Sequence, residues 1–261
     1  MIFLPLIIFI FGLIIGSFLN VVILRINTGR SIAKGRSKCA RCSTTLSWYE
    51  LIPVFSFLTL RGKCKTCKNP ISFQYPLVEL TTALVFTILY TKILLSNGFN
   101  FFGIVSFLGA STISALLIVI FAYDIKHKII PDKIVYPFII ISLASVFWRN
   151  VFGDNDMLIK DLFAGPALAA PFFFLWFFSK GRAMGFGDVK LSLGIGWLLG
   201  LAGSLATFFL SFWLGAIVGL LLMASSKTSL KSEIAFAPFL IIAVFIVGVF
   251  SVTLQSLFPI W

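Results

Sequence analysis

Between Ile2 and Leu24 the chain carries no charged residue, a run that is too long for a signal-peptide core and has neither a preceding Lys or Arg nor a small-residue cleavage site after it. It predicts a retained membrane-spanning helix, and the pattern recurs. Further apolar segments lie at 76–95, 101–123, 134–151, 162–178, 189–202, 204–224 and 235–257. The expected fold class is an all-α polytopic membrane protein with about eight transmembrane helices, the sixth being short and Gly-rich enough for a partial crossing. A composition that is 59% hydrophobic, with 31 Phe, fits that class and no soluble one.

The formal charge of +12 would suit a nucleic-acid binder if it were spread over one surface, but the cations cluster between the apolar segments. The stretch from Arg25 to Tyr75 holds ten Lys and Arg against one acid, Glu50. Cytoplasmic loops hold such excesses, so this loop is expected inside. The alternate loops then carry Lys126, Lys128 and Lys133, next Lys180, Arg182 and Lys190, and finally Lys227 and Lys231. Only Lys92, Arg149 and Lys160 fall outside, where Asp154, Asp156 and Asp161 also gather, and eight spans would leave both termini outside. The expected partners of the basic loops are anionic lipid headgroups rather than nucleic acid.

All four cysteines sit in the first loop, as CARC (Cys39, Cys42) and CKTC (Cys64, Cys67). Two C-x2-C pairs at this separation predict a closed four-thiolate zinc site, whose work is to fold a loop of about 50 residues with little apolar core of its own. Flanking Lys and Arg favour the thiolates and offset the negative charge of a tetrathiolate. Two disulfides or a redox pair are the alternatives, the former disfavoured in a reducing cytosol. Trp48 to Leu58, the most apolar part of the loop, is expected to pack on the metal knuckles or to enter the membrane interface.

The chemistry available is narrow. The single histidine, His127, lies in a short polar stretch and has no company for a Ser-His-Asp system, and no H-E-x-x-H is present. Carboxylates at helix ends remain. Asp124 follows the third apolar segment and Asp188, in GFGD, precedes the sixth, both on the expected cytoplasmic side. Two carboxylates brought together share a proton and can activate water against a peptide carbonyl. Gly185 and Gly187 are expected to bend the backbone beside Asp188. Helix capping by Asp188, pairing of Asp124 with a neighbouring Lys, and an N-cap at Asp132 are the structural alternatives.

Taken together, GSFLNVVILR (16–25), the two cysteine pairs, YPLVELTTAL (75–84), DIKHKIIPD (124–132), MGFGDVKL (184–191) and FAPFL (236–240) resemble the type IV prepilin peptidases, aspartic membrane proteases with a G-x-G-D motif, over most of the chain. The resemblance implies that Asp124 and Asp188 are the catalytic pair and that Asp132 is not. It implies a protein of the bacterial cytoplasmic membrane that removes the leader of prepilins or pseudopilins on the cytoplasmic side, typically after Gly and before Phe. It further implies N-methylation of the new N-terminus with S-adenosylmethionine, an activity associated with the cysteine-bearing loop. Gly16, Ser17, Asn20, Arg25 and Glu79 match family motifs and are candidates to line the methyl-donor site. Gly12 and Gly16 also form a G-x-x-x-G suited to helix packing.

The expected division is a first helix over 1–24, a zinc-binding loop domain and methyltransferase part over 25–75, and a membrane-embedded peptidase over 76–261. Ala237 stands where the family more often has Gly. A different class of reading makes the protein a membrane scaffold or proton-coupled transporter with a docking loop. Transporters place such acids mid-span on inverted repeats, whereas these sit at helix ends.

Overall fold

The computed structural model describes residues 3–152, 158–182, 184–225 and 235–252. Asp154, Asp156, Lys227 and Lys231, used above to infer sidedness, lie outside the described residues. The described chain is almost wholly helical, with α1 (Phe3–Arg25), α2 (Phe55–Thr59), α3 (Gln74–Leu89), α4 (Leu95–Asn97), α5 (Phe101–His127), α6 (Asp132–Phe152), α7 (Leu158–Ser179), α8 (Phe186–Ala224) and α9 (Ala237–Phe250). A π-turn over Tyr90–Leu94 joins α3 to α4, making one apolar helix of Gln74–Leu94.

Six of these helices are long and apolar enough to cross a membrane: α1, α3 with its π-turn, α5, α6, α7 and α8. The protein is multi-pass. Each of the eight apolar segments expected from the sequence contains helix, the eighth over Ala237–Phe250 with its residues 253–257 outside the described ones, but the sixth and seventh belong to one element. α8 runs for 39 residues, about 58 Å at 1.5 Å per residue and about twice the hydrocarbon thickness. No polar loop separates its halves; the only interruption is Gly200, at φ 69 and ψ 179, a conformation open essentially to glycine alone. α9, with 14 residues, is shorter than a full span.

The chain forms two compact units, residues 1–122 and 123–261, and the boundary falls near the end of α5. In the first, α1 and α3 pack antiparallel at very close range. A Cβ on Gly12 would lie 2.5 Å from the Ala83 Cα, and one on Gly16 2.6 Å from the Glu79 Cα. The G-x-x-x-G thus serves packing, because only glycine lets the two backbones approach this closely. Tyr90, Leu94 and Phe107 form a core cluster nearby, against which Leu4 and Ile8 pack.

In the second unit α8 packs against α6, α7 and α9. The carbonyls left open where α8 breaks at Gly200 are taken by Arg149 at the end of α6, whose guanidinium donates to Leu198 O at 2.5 Å and Trp197 O at 2.8 Å. Asp161, in the first turn of α7, lies 3.8 Å from the same guanidinium and accepts a 3.2 Å hydrogen bond from Asn150. An open helix end and a half-buried cation thereby satisfy each other. Ala237 is fully buried at the start of α9, with Pro238 in the first turn, where a missing N–H costs nothing.

Candidate active site and metal centre

The cysteine loop is built from two copies of one small structure, 25 residues apart from Cys39 to Cys64. In the first, Cys39 N donates to Thr44 O at 2.9 Å, Ser43 N to Cys39 O at 3.0 Å and Leu46 N to Ser37 O at 2.9 Å. In the second, Cys64 N donates to Asn69 O at 2.8 Å, Lys68 N to Cys64 O at 3.0 Å and Ile71 N to Gly62 O at 2.7 Å. Ser43 and Lys68, each following the second cysteine of its pair, share the left-handed backbone at φ 58 and 57. The repeat is readable once SKCARCSTTL is set over GKCKTCKNPI, a signal the cysteine spacing alone does not reveal.

Folding the two knuckles together brings all four Sγ atoms within 4.8 Å of one another, with Cys39 and Cys67 at 3.9 Å. A tetrahedral thiolate site with metal–sulfur bonds near 2.3 Å has edges of about 3.8 Å, so the donor set fits such an ion. The four are free thiols rather than disulfides. Each knuckle also supplies an outer partner to its second cysteine. The Thr44 hydroxyl lies 3.3 Å from Cys42 Sγ, and the Asn69 amide donates to Cys67 Sγ at 3.4 Å. The Asn69 side chain and backbone amide pull the Cys67 thiol down to about 6, and Thr44 lowers that of Cys42, which favours the metal-binding thiolates.

Between the knuckles, Trp48–Leu51 forms a 3-10 turn closed by a capping box in which Glu50 accepts from Ser47 N at 2.8 Å. Val54 then adopts φ 60 and ψ −46, a strained γ-turn for a β-branched residue, with its N–H donating to Glu79 Oε2 at 2.8 Å. Glu79 is buried within α3, so this bond ties the loop to the helix pair beneath it. Trp48, Phe55 and Leu58 are 76%, 60% and 66% exposed rather than packed on the knuckles.

The five residues expected near a methyl donor have partners within the protein. Gly16 meets Glu79, which contacts Ser17 and Val54, and Asn20 donates to Gly16 O and Tyr75 O. Arg25 donates to the carbonyls of Ser31, Lys34, Gly35 and Arg36, wrapping the start of the loop around its guanidinium. These groups weld the loop to α1 and α3; of their polar atoms, the buried Asn20 Oδ1 has no hydrogen-bond partner.

In the second unit, Asp124 lies in the last turn of α5 and Asp188 in the first turn of α8, only 4% and 9% exposed. The carboxylates are close enough for the charge of Asp124 to act on Asp188. α5 closes through Lys128, whose N–H donates to Asp124 O at 2.7 Å in the left-handed region, and Pro131 opens α6 by accepting from Ile134 N and Val135 N. Ile130, buried in this turn, packs on α8 where a Cβ on Gly187 would lie 2.9 Å from the Ile130 Cβ. Gly187 therefore acts by close approach, and Gly185, at φ −75 and ψ 150, takes a conformation open to any residue. The expected glycine bend is not found; the glycine requirement is steric and lies at Gly187.

Asp132, expected as an N-cap, pairs instead with Lys190 at 2.7 Å, and the Lys190 ammonium sits over the rings of Tyr136 and Phe186 at 4.9 and 5.4 Å. The first turns of α6 and α8 are thus stapled together two residues from Asp188. His127 is exposed and stacked on Tyr123, and takes no part in this arrangement.

Comparison with known proteins places these two regions in one family. The model of the bacterial peptidase A24 N-terminal domain matches residues 10–93, and that of the type IV leader peptidase family matches residues 111–220. A prepilin leader peptidase/N-methyltransferase of Bacillus subtilis (strain 168) is 35% identical over 234 residues, spanning 89% of this chain and 88% of the relative. The chain belongs to the type IV leader peptidase family. Relatives with the same name in Xanthomonas campestris and Myxococcus xanthus are each 32% identical, over 90% and 86% of this chain. The chain spans 88% of the length of the former and 65% of the latter. No solved structure matches it.

Proposed function

We propose that the protein removes the leader peptide of type IV prepilins or pseudopilins by an aspartic mechanism at the cytoplasmic face of the bacterial inner membrane, and then methylates the exposed amine. The observation that carries this reading is the pair of buried carboxylates, Asp124 at the end of α5 and Asp188 at the start of α8, close enough for the charge of one to act on the other. The relatives' shared name as prepilin leader peptidases and N-methyltransferases supports the substrate class and both activities. Neither the fold nor the relatives support a transporter or scaffold.

The pair shares one proton. The ionised carboxylate accepts a proton from a water molecule as its oxygen attacks the scissile carbonyl, and the protonated partner gives its proton to the carbonyl oxygen. Collapse of the resulting diol returns a proton to the leaving amine, breaks the C–N bond and restores the shared proton. A prepilin presents an apolar helix with a polar leader, so its scissile bond lies at the membrane boundary. Helix-end carboxylates meet it there, with water still in reach.

Cys39, Cys42, Cys64 and Cys67 would hold a structural zinc ion that folds the 25–75 loop, leaving no open coordination position for catalysis. S-adenosylmethionine, when bound, would supply an electrophilic methyl group for the new N-terminal amine, and the methyltransferase part is assigned to this loop and the helices that carry it, with the peptidase in 76–261.

The test is incubation of the purified protein with one prepilin, with and without S-adenosylmethionine, followed by mass spectrometry. Leader loss is expected in both reactions and one added methyl only with the donor. Asp124→Asn and Asp188→Asn should each abolish leader loss while the protein stays in the membrane and keeps its zinc. Full cleavage by either variant would overturn the reading.

A further inference from the structure

The second knuckle borders a pocket of about 310 Å³ whose walls include Leu60, Arg61, Lys63, Lys65 and Lys68 and no acidic residue. Four cations surround one concavity, and the thiolates gathered behind Cys64 offset part of their charge. The loop's single acid, Glu50, is held by the Ser47 amide in the capping box and is the smallest of the influences acting on Lys65. Lys65 itself is set in place, donating to the Tyr49 hydroxyl at 2.9 Å with its ammonium 5.0 Å from the Tyr49 ring.

An apolar surface adjoins this basic wall. Phe55 and Leu58, three residues apart on one face of α2, and Trp48 on the preceding turn are all mostly exposed. Leu60, at the end of α2, lines the pocket. Exposed aromatic and aliphatic side chains beside clustered Lys and Arg form the arrangement that lies in a bilayer interface, with the apolar groups among acyl chains and the cations at headgroup level. The loop begins where the span α1 ends at Arg25 and finishes where the span of α3 begins at Gln74, so it stands at the membrane surface by covalent attachment.

We infer that the pocket is a binding site for the phosphodiester headgroup of an anionic phospholipid, with Arg61, Lys63, Lys65 and Lys68 facing the phosphate and Trp48, Phe55 and Leu58 inserted beside it. The occupant is a lipid because the apolar groups adjoin the basic wall and the membrane is already at hand. The site is distinct from the metal centre, although Cys64 contributes to both walls, and the inference rests on the protein being multi-pass, independently of the aspartate chemistry.

Full-length protein in nanodiscs of phosphatidylcholine alone, or with one third phosphatidylglycerol, tests the site by hydrogen exchange over residues 48–68. Exchange in this segment should slow at least several-fold with phosphatidylglycerol, and the protection should fade as salt is raised. A Lys63→Gln, Lys65→Gln, Lys68→Gln variant should lose it, at about fivefold in lipid affinity per removed cation. A Phe55→Ser, Leu58→Ser variant should weaken it. Zinc content read on each variant reports whether the loop is folded, and the two wild-type arms decide the matter if a variant has lost its metal. Equal exchange in the two lipids overturns the inference. So does equal protection by millimolar glycerol phosphate in phosphatidylcholine discs, which would make the pocket a site for small soluble anions.

Discussion

The two candidate sites are assembled in opposite ways. The cysteine site is made of short-range structure: each knuckle closes within ten residues, and a duplicated set of backbone hydrogen bonds aims two thiols at a common point. The aspartate site is made of long-range packing: Asp124 and Asp188 stand on separate helices and meet because Ile130 rests on Gly187 and Lys190 holds Asp132. A metal centre tolerates this locality because the ion supplies the force that joins the halves. An acid pair has no such glue, since its members repel once ionised, and the surrounding helices must hold it.

The contrast is broken most directly by exchanging the damage. Cys39→Ser should lower zinc stoichiometry from one to none and impair methylation while much leader cleavage survives; Asp188→Asn should reduce cleavage by about a thousandfold or more with zinc intact. Mass spectrometry of product together with metal analysis separates the two, and cleavage lost in step with zinc would show that the sites are not independent. Next in size, Gly187→Val places carbon atoms where Ile130 packs. Leader cleavage should fall by at least about tenfold through displacement of the pair, with partial recovery when Ile130→Ala is added, because a small misplacement at the reacting centre is costly.

Smaller effects probe the supports. Asn69→Ala removes the side-chain donor that, with the Asn69 backbone amide, holds the Cys67 thiol down, so its pKa rises and protons compete with metal at higher pH. Zinc retention, which falls as pH drops because the ligand is the thiolate, should begin to fail at a higher pH than in the natural protein, with affinity reduced about tenfold or more. A chelator titration across pH reads this directly. Least of all, Lys190→Met should lower cleavage only a few-fold, since Asp132 is 61% exposed and a pair of that kind contributes at most about 1 kcal/mol. The Asp132→Lys, Lys190→Asp double variant should regain part of the loss in the same kinetic assay.

The same contrast explains what could be read without coordinates. Helical class and membrane character follow from runs such as Ile2 to Leu24, because a bilayer demands length and apolarity that the sequence displays openly. The cysteine cluster was visible because its ligands lie close along the chain. Asp124 and Asp188 could be nominated, yet their nearness depends on a helix contact 57 residues away in sequence, Ile130 on Gly187, that no local pattern encodes. The glycines of GFGD were expected to bend the chain, when the need was for empty space at Gly187. The merging of two apolar segments into α8 is not legible in the sequence because Gly200 breaks backbone geometry without adding a polar loop.

That break has a consequence for how three helices are joined. Arg149 comes at the end of α6, but the carbonyls that satisfy it, those of Trp197 and Leu198, lie almost fifty residues later. A guanidinium near the bilayer without partners is costly, and the carboxylate within reach is Asp161 at the start of α7. In the folded protein Arg149 keeps both partners, tying the end of α6 to the first turn of α7 and to the break in α8. One arginine is thus the joint at which three helices depend on one another.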